Sequence, residues 1–259
     1  MIAAMNPRIN GWHGLRVWVI GASTGIGAET AKLLLTLGAR VGLSARTESS
    51  LQAIASGHAG AIVLPLDVTD AAQLASARDR LLQAWGGFDL VLLVAGIYGE
   101  MRADAINMAV VNRTLDINLR GVFNGLDAVL PTLLAQRSGG VAIVSSVAGF
   151  RGLPKALVYG PTKAALINLA ESLYLDLRPR GIAVHLINPG FVDTPATAQN
   201  DFDMPAIISA SDAAQEIVQG IARGEFHIHF PKRFTNWLRL TRLLPYRVYF
   251  WLIRKVTGL

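Results

Sequence analysis

The sequence predicts an α/β protein built on a doubly wound parallel sheet of about seven strands, with helices on both faces. Three observations carry that reading. Seven short runs of Val, Ile, Leu and Ala recur along the chain, too continuous for a sheet with one wet face and typical of strands buried on both sides. Stretches of helical periodicity separate them, and such alternation implies parallel pairing through crossover helices. The first run ends in a glycine-rich turn that opens a helix. At 259 residues and 52% hydrophobic content, the chain can bury a full core. One catalytic-size domain over residues 1–230, followed by a helical extension over 231–259, is expected.

The first strand is RVWVI, residues 16–20. It runs into Gly21-Ala22-Ser23-Thr24-Gly25-Ile26-Gly27, after which residues 28–37 read as a helix. Glycines let a backbone approach a pyrophosphate, and a helix N-terminus offers unpaired N–H groups and the positive end of a dipole. Without a ligand the same turn would be a tight connection, so its strand–turn–helix setting gives it meaning. Further strands are expected at 39–45, 61–66, 90–94, 141–145, 182–187 and 226–230. A long helical stretch over 105–136 carries Asn118 in its middle, and a helix over 158–178 stops at Pro179-Arg180-Gly181. Ligands of doubly wound folds bind beyond the C-terminal strand ends, where the strand order reverses. That places the glycine turn, Asp67, Gly96, Ser146 and Pro189-Gly190 along one edge.

Tyr159-Gly160-Pro161-Thr162-Lys163 puts a phenol and an ammonium on one helix face. Lowering a tyrosine pKa from about 10 to about 7 requires about 4 kcal/mol of preference for the phenolate. A unit charge about 4 Å away at an effective dielectric of about 20 supplies roughly that. Tyr159 is therefore expected to act as a general acid/base if its face looks into a cleft. Alone, the pair is also what a surface helix shows by chance.

Composition narrows the functional classes. Residues 231–259 hold seven Lys/Arg (Lys232, Arg233, Arg239, Arg242, Arg247, Arg254, Lys255) and no acid, leaving seventeen bases against eighteen acids in the other 230 residues. The overall charge of +6 is thus a property of the tail. There is no cysteine, which excludes disulfides and thiol chemistry and fits a reducing compartment. The five histidines (His13, His58, His185, His227, His229) show no ligand spacing with carboxylates, so no metal is expected. His227 and His229 alternate with Ile228 as on one face of an edge strand. The opening MIAAMNPRIN has no basic start before an apolar run, and no segment approaches 18 uncharged apolar residues. Neither a secretory signal nor a spanning helix is expected.

Taken together, Gly21-x3-Gly25-x-Gly27, Asn118, Ser146, Tyr159-x3-Lys163 and Pro189-Gly190-x3-Thr194 make the sequence resemble the short-chain dehydrogenase/reductase superfamily, in its single-domain Tyr-x3-Lys form, from about Leu15 to Phe230. The resemblance implies a Rossmann-like fold and NAD(P)-dependent oxidoreduction. It gives Tyr159 the proton transfer with the substrate oxygen, and Lys163 the tuning of that tyrosine and a hold on the nicotinamide ribose. Ser146 would hydrogen-bond the substrate oxygen, while Asn118 would hold a water linking the lysine to solvent. Ser145, on the opposite side of the strand, reads as structural. Cofactor contacts are expected from Gly21, Ser23, Thr24, Gly25, Ile26, Gly27, Arg46, Asp67, Val68, Ala95, Gly96, Pro189, Gly190, Val192 and Thr194. Asp67 would bond the adenine, although an Asp after a strand can also simply cap a helix. The hydride belongs to the nicotinamide; the protein orients and stabilises.

The sequence departs from the family at Ile20, where Thr is usual, and at Leu93-Val94-Ala95-Gly96, where Asn-Asn-Ala-Gly is usual. Both changes remove polar side chains, suggesting an apolar contact in place of a buried hydrogen-bonded pair, so that Val94→Asn alone would destabilise the fold. For the cofactor, Ser44-Ala45-Arg46 ends strand two without the acid that binds a ribose 2′-hydroxyl and with a cation suited to a 2′-phosphate. NADP(H) is expected; Glu48, a few residues on, keeps NAD(H) open. A non-catalytic dinucleotide-binding redox sensor is the reading from another class.

Residues 195–208, with Phe202, Met204, Ile207 and Ile208, read as a lid favouring a hydrophobic carbonyl or alcohol substrate. Leu126, Val129, Leu130, Leu133, Leu169 and Leu173 exceed one buried stripe on their helices, and with the resemblance they suggest a homo-oligomer, a dimer or tetramer. In the tail, residues 235–244 and 246–256 read as two helices separated at Pro245. In the second, Tyr246, Tyr249, Phe250 and Ile253 recur at helical spacing, with Arg247, Trp251, Arg254 and Lys255 toward the other side. Such a helix suits an anionic membrane surface, a pocket cover or a subunit contact. Nucleic acid is not expected, because no binding motif accompanies the charge. A cytoplasmic location, peripheral at the inner face of a membrane if the tail binds there, is the corresponding expectation.

Overall fold

The computed structural model describes residues 4–198 and 204–258. Its central sheet pairs β1 (Arg16–Ile20), β2 (Arg40–Ser44), β3 (Ala61–Val63), β4 (Leu90–Leu93), β5 (Gly140–Val144), β6 (Ala183–Pro189) and β9 (His227–Phe230), all parallel, in the order β3-β2-β1-β4-β5-β6-β9. The order reverses between β1 and β4, so a crevice opens at their C-terminal ends. Two short strands, β7 (Val192–Asp193) and β8 (Ile208–Ser209), form a separate pair beyond β6.

Strand alternation divides the core into two layers. Trp18, Ile20, Val91, Leu93, Val141 and Ile143 face α3 (Ala71–Trp85), α5 (Gly121–Gln136) and α6 (Tyr159–Leu177). Val17, Val19, Val41, Leu43, Leu90 and Leu92 face α1 (Gly25–Thr36), α2 (Glu48–Ala55) and α7 (Ala210–Ala222). This corrects the paired swap expected from sequence. Ile20 lies in the first layer and Val94 against the second; they meet only through the backbone, where Val94 N donates to Ile20 O at 2.9 Å. Val94 also borders the cavity described below, so an amide there is not forced into an unpaired burial.

Other differences have local causes. Strand three ends at Val63, yet Leu64 N and Leu66 N still donate to Leu43 O and Ala45 O at 2.9 and 3.0 Å, carrying the chain along β2 to Asp67. The long helical stretch begins at Asn107, whose side chain caps α4 (Met108–Leu115), and passes through a π-helical turn at Asp116–Arg120 before α5. Such turns widen a helix by one residue and recur at functional sites; nothing in the hydrophobic period announces this one. Of the apolar residues expected to form a subunit contact, Leu126, Val129 and Leu133 are buried within the chain. The exposed apolar side chains on these helices are Phe123, Leu134 and Leu175.

The tail is helical in two parts, α8 (Lys232–Thr241) and α9 (Tyr246–Thr257). Arg151, in the loop after β5, fastens both. Its guanidinium donates to Thr241 O and Leu244 O at 2.8 and 2.7 Å and lies 3.9 Å over the Tyr249 ring and 5.0 Å over that of Tyr246. The four aromatic and apolar residues grouped by their spacing do not share one environment: Tyr249 and Ile253 pack inward, whereas Tyr246 and Phe250 are exposed.

Candidate active site

A cavity of about 940 Å³ follows the C-terminal edge of the sheet, from the β1–α1 turn at one end to the tail helices at the other. The nucleotide-side wall is backbone. Gly21 has φ +104°, and a Cβ there would lie 2.5 Å from Ala95 N; one on Gly27 would lie 2.0 Å from Gly21 O. These glycines therefore let the turn fold against β4 and α1 start directly beneath it. Thr24, the N-cap of α1, makes no side-chain capping bond, and the first turn carries no acid. The N–H groups and dipole of that turn are left to a ligand anion, so the residues present fit a dinucleotide pyrophosphate. Across the cavity, Thr194 touches the Cβ position of Gly25 at 3.0 Å. Thr197 holds Thr194 in place, its Oγ1 accepting from Thr194 N at 3.1 Å.

Ala45, Arg46 and Thr47 line the far end of this half, while Glu48, exposed at the start of α2, is not among the lining residues. Asp67 is not the cap of α3; Asp70 is, accepting from Ala72 N and Gln73 N. Asp67 instead accepts from Thr69 N and Thr69 Oγ1 at 2.9 and 2.7 Å. Those bonds hold its carboxyl below the usual range, with help from the charges of Arg46 and Arg113.

Ser146, Tyr159, Lys163 and Gly96 line the same cavity, with Asn118 buried beside Gly96. Ser146 leaves the end of β5 in extended conformation, and its Oγ accepts from Ala148 N at 3.1 Å. The same hydroxyl acts on the Tyr159 phenol to lower its pKa, against the larger effect of burial. Tyr98, which sequence reasoning missed, stands edge-on to Tyr159 with centroids 5.1 Å apart. Lys163 is 4% exposed and donates from Nζ to Val144 O at 3.0 Å, while Ser145 Oγ donates to Lys163 O at 2.7 Å in the structural role expected of it. A Cβ on Gly96 would sit 3.4 Å from both Lys163 Nζ and Asn118 Oδ1. Asn118 is fully buried; its Oδ1 accepts from Ile97 N at 2.7 Å and its Nδ2 donates to Ile97 O at 2.9 Å. Its side chain therefore ties the π-helical turn to the loop after β4.

The electrostatics differ from the simple Coulomb expectation. Burial pushes the Tyr159 phenol up to about 12, with only the Ser146 hydrogen bond acting the other way, and burial lowers Lys163 to about 8. The ammonium is 5.6 Å from the tyrosine ring centroid and directed at a carbonyl. Desolvation therefore outweighs the charge pair in the protein by itself.

The other end of the cavity is lined by side chains that the sequence reading had not gathered: Phe191, Phe234, Trp237, Leu238, Ile253 and Val256. Of the expected lid, Phe202 lies outside the described residues; Ile208 pairs with Val192 in β8 rather than covering the cavity. His227 and His229 do share one face of the edge strand, with ring centroids 4.8 Å apart, and His229 bonds Thr235 and Arg239 of α8. His229 thus braces the tail, while His227 bonds Asn188 of β6 at 2.8 Å. Among the described residues no cluster of three or more His, Cys, Asp or Glu is arranged to hold a metal.

Residues 16–204 match the family model described as short chain dehydrogenase. An uncharacterized oxidoreductase of Myxococcus xanthus is 39% identical over 232 residues, 88% of this chain and 91% of that protein. A solved structure described as ribose-5-phosphate isomerase from Brucella melitensis is 27% identical, with a TM-score of 0.77 over 85% of this chain and 92% of that one. A short chain dehydrogenase/reductase from Burkholderia phymatum, in complex with NAD, is 23% identical with a TM-score of 0.82 over 90% of this chain and 94% of that one.

Proposed function

Because the chain belongs to the short-chain dehydrogenase family, we propose that it is an NADP(H)-dependent oxidoreductase interconverting a carbonyl and a secondary alcohol on a hydrophobic substrate. The observation that carries this is that Ser146, Tyr159 and Lys163 line one cavity together with the glycine turn, the lysine Nζ 5.6 Å from the tyrosine ring centroid. When bound, the nicotinamide supplies the hydride. Ser146 holds the substrate oxygen, where charge develops. Tyr159, whose phenol burial keeps protonated at neutral pH, gives its proton to that oxygen as the hydride reaches the carbonyl carbon, and takes it back in the reverse reaction. Lys163 and Asn118 position the tyrosine's helix and the loop after β4.

Cofactor choice follows from charge. Arg46 lines the cavity while Glu48 does not, which supports NADPH over NADH; the NAD(H) alternative rests on Glu48 alone. The apolar lining contributed by Phe191, Phe234 and Ile253 supports a hydrophobic substrate. The exposed Phe123, Leu134 and Leu175 support a homodimer through α5 and α6. Tyr159→Phe tests the mechanism in an NADPH oxidation assay over a panel of carbonyls: turnover falls at least about a hundredfold while NADPH affinity is nearly unchanged. A redox sensor would show no turnover to lose.

A further inference from the structure

The tail helices have two faces, and the body uses only one. On the inner side Thr235, Leu238, Tyr249 and Ile253 are buried, and Tyr249 Oη donates to Gly152 O at 2.6 Å. On the outer side Leu240, Leu243, Phe250 and Trp251 are 64, 82, 55 and 61% exposed. Single exposed apolar side chains are ordinary, but four large ones on two consecutive helices and the turn between them mark an interaction surface. Arg247, Arg254 and Lys255 accompany Phe250 and Trp251 on α9, with Lys255 Nζ 5.3 Å over the Trp251 ring. The whole segment 231–259 carries seven cations and no acid.

We infer that this outer face docks on an anionic lipid bilayer. Rings at the boundary and cations among phosphates are the chemistry of an interfacial helix. No described helix is long and apolar enough to cross a membrane, so α9 lies in the plane of the surface. A second copy of this chain is the poorer occupant, because a two-fold contact sets a patch against itself and would bring Arg247, Arg254 and Lys255 toward their own copies. The cavity's rim lies at the same place, since Trp237 and Val256 line it and are 42 and 64% exposed. Docked, the protein holds that opening at the lipid surface, where apolar carbonyl compounds collect. This last consequence rests on the oxidoreductase reading; the docking does not.

Sedimentation of the full chain with sucrose-loaded vesicles tests it at low salt. The chain pellets with phosphatidylglycerol/phosphatidylcholine vesicles and stays in solution with phosphatidylcholine alone. Arg247→Gln weakens binding about fivefold. Leu243→Ser with Trp251→Ser, both at exposed positions, weakens it at least about tenfold, with an unchanged melting curve as control. A wild-type chain that stays in the supernatant with anionic vesicles overturns the inference. So does pelleting that the double variant leaves intact, which puts the contact elsewhere, and so does a wild-type oligomer that the double variant dissociates without any lipid binding. Vesicle binding without carbonyl reductase activity would leave the docking standing and remove the catalytic reading.

Discussion

The two ends of the cavity are built on opposite principles. At the nucleotide end the wall is main chain, packed so closely that a methyl group on Gly27 would meet Gly21 O at 2.0 Å. At the tail end the wall is side chains on α8 and α9, whose other faces are exposed. A backbone wall depends on a few glycines at fixed spacing and admits little variation, whereas a side-chain wall changes shape with each substitution. A common ligand at the first end and a substrate particular to this protein at the second is the division of labour such construction supports.

The sharpest way to break that contrast is Gly27→Ala. The obstructing atom is backbone, so the strain cannot be relieved by a side-chain rotation; destabilisation of at least about 3 kcal/mol and loss of NADPH binding are expected, read by thermal melting and cofactor fluorescence. A milder effect comes from the buried lysine between the two ends. Lys163 is lowered to about 8 from 10.5, so between those pH values the unfolded chain binds more protons than the folded one. Stability contributed by this site therefore rises as pH climbs from 8 to 10.5. In urea unfolding, wild type should gain on the order of 2 kcal/mol over Lys163→Met across that window; parallel pH profiles would refute it. Next, Ala45→Asp with Arg46→Ala should reverse the preference for NADPH, by about tenfold or more in kcat/KM. A wild type that prefers NADH would return the weight to Glu48. Smallest is Trp251→Ser on the outer face of the tail, which should shift folding stability by less than about 0.5 kcal/mol. A larger loss would mean that the tail end is packed as tightly as the nucleotide end.

The same contrast explains what was legible in the sequence. The order of strands and helices, the glycine turn and the Tyr159–Lys163 pair follow from local patterns: apolar runs, glycine spacing and an i, i+4 pair; the place of Ser146 beside them is what the resemblance implies. What could not be read depends on contacts between distant segments. The inward turn of Tyr249 depends on Gly152 and Arg151, about a hundred positions earlier. The assignment of Ile20 and Val94 to opposite layers is set by strand alternation on two neighbouring strands, which their closeness at the sheet edge conceals. The lowered Tyr159 pKa expected from one charge pair is reversed in sign by burial, which a sequence does not display. Thr197 and Thr162 carried a faint signal, each a Thr three residues from a site residue, and hydrogen bonds to Thr194 and Asn118 give it substance.

Arg151 gives the tail a further property. Its guanidinium holds the last carbonyl of α8, that of Leu244 in the turn after it and the rings of α9 at once. Neither helix can fray alone without breaking the contacts of the other, so the two open as one cooperative unit. Amide hydrogens of α8 and α9 would then exchange at a common rate set by a single opening event, and that event would uncover the tail end of the cavity all at once.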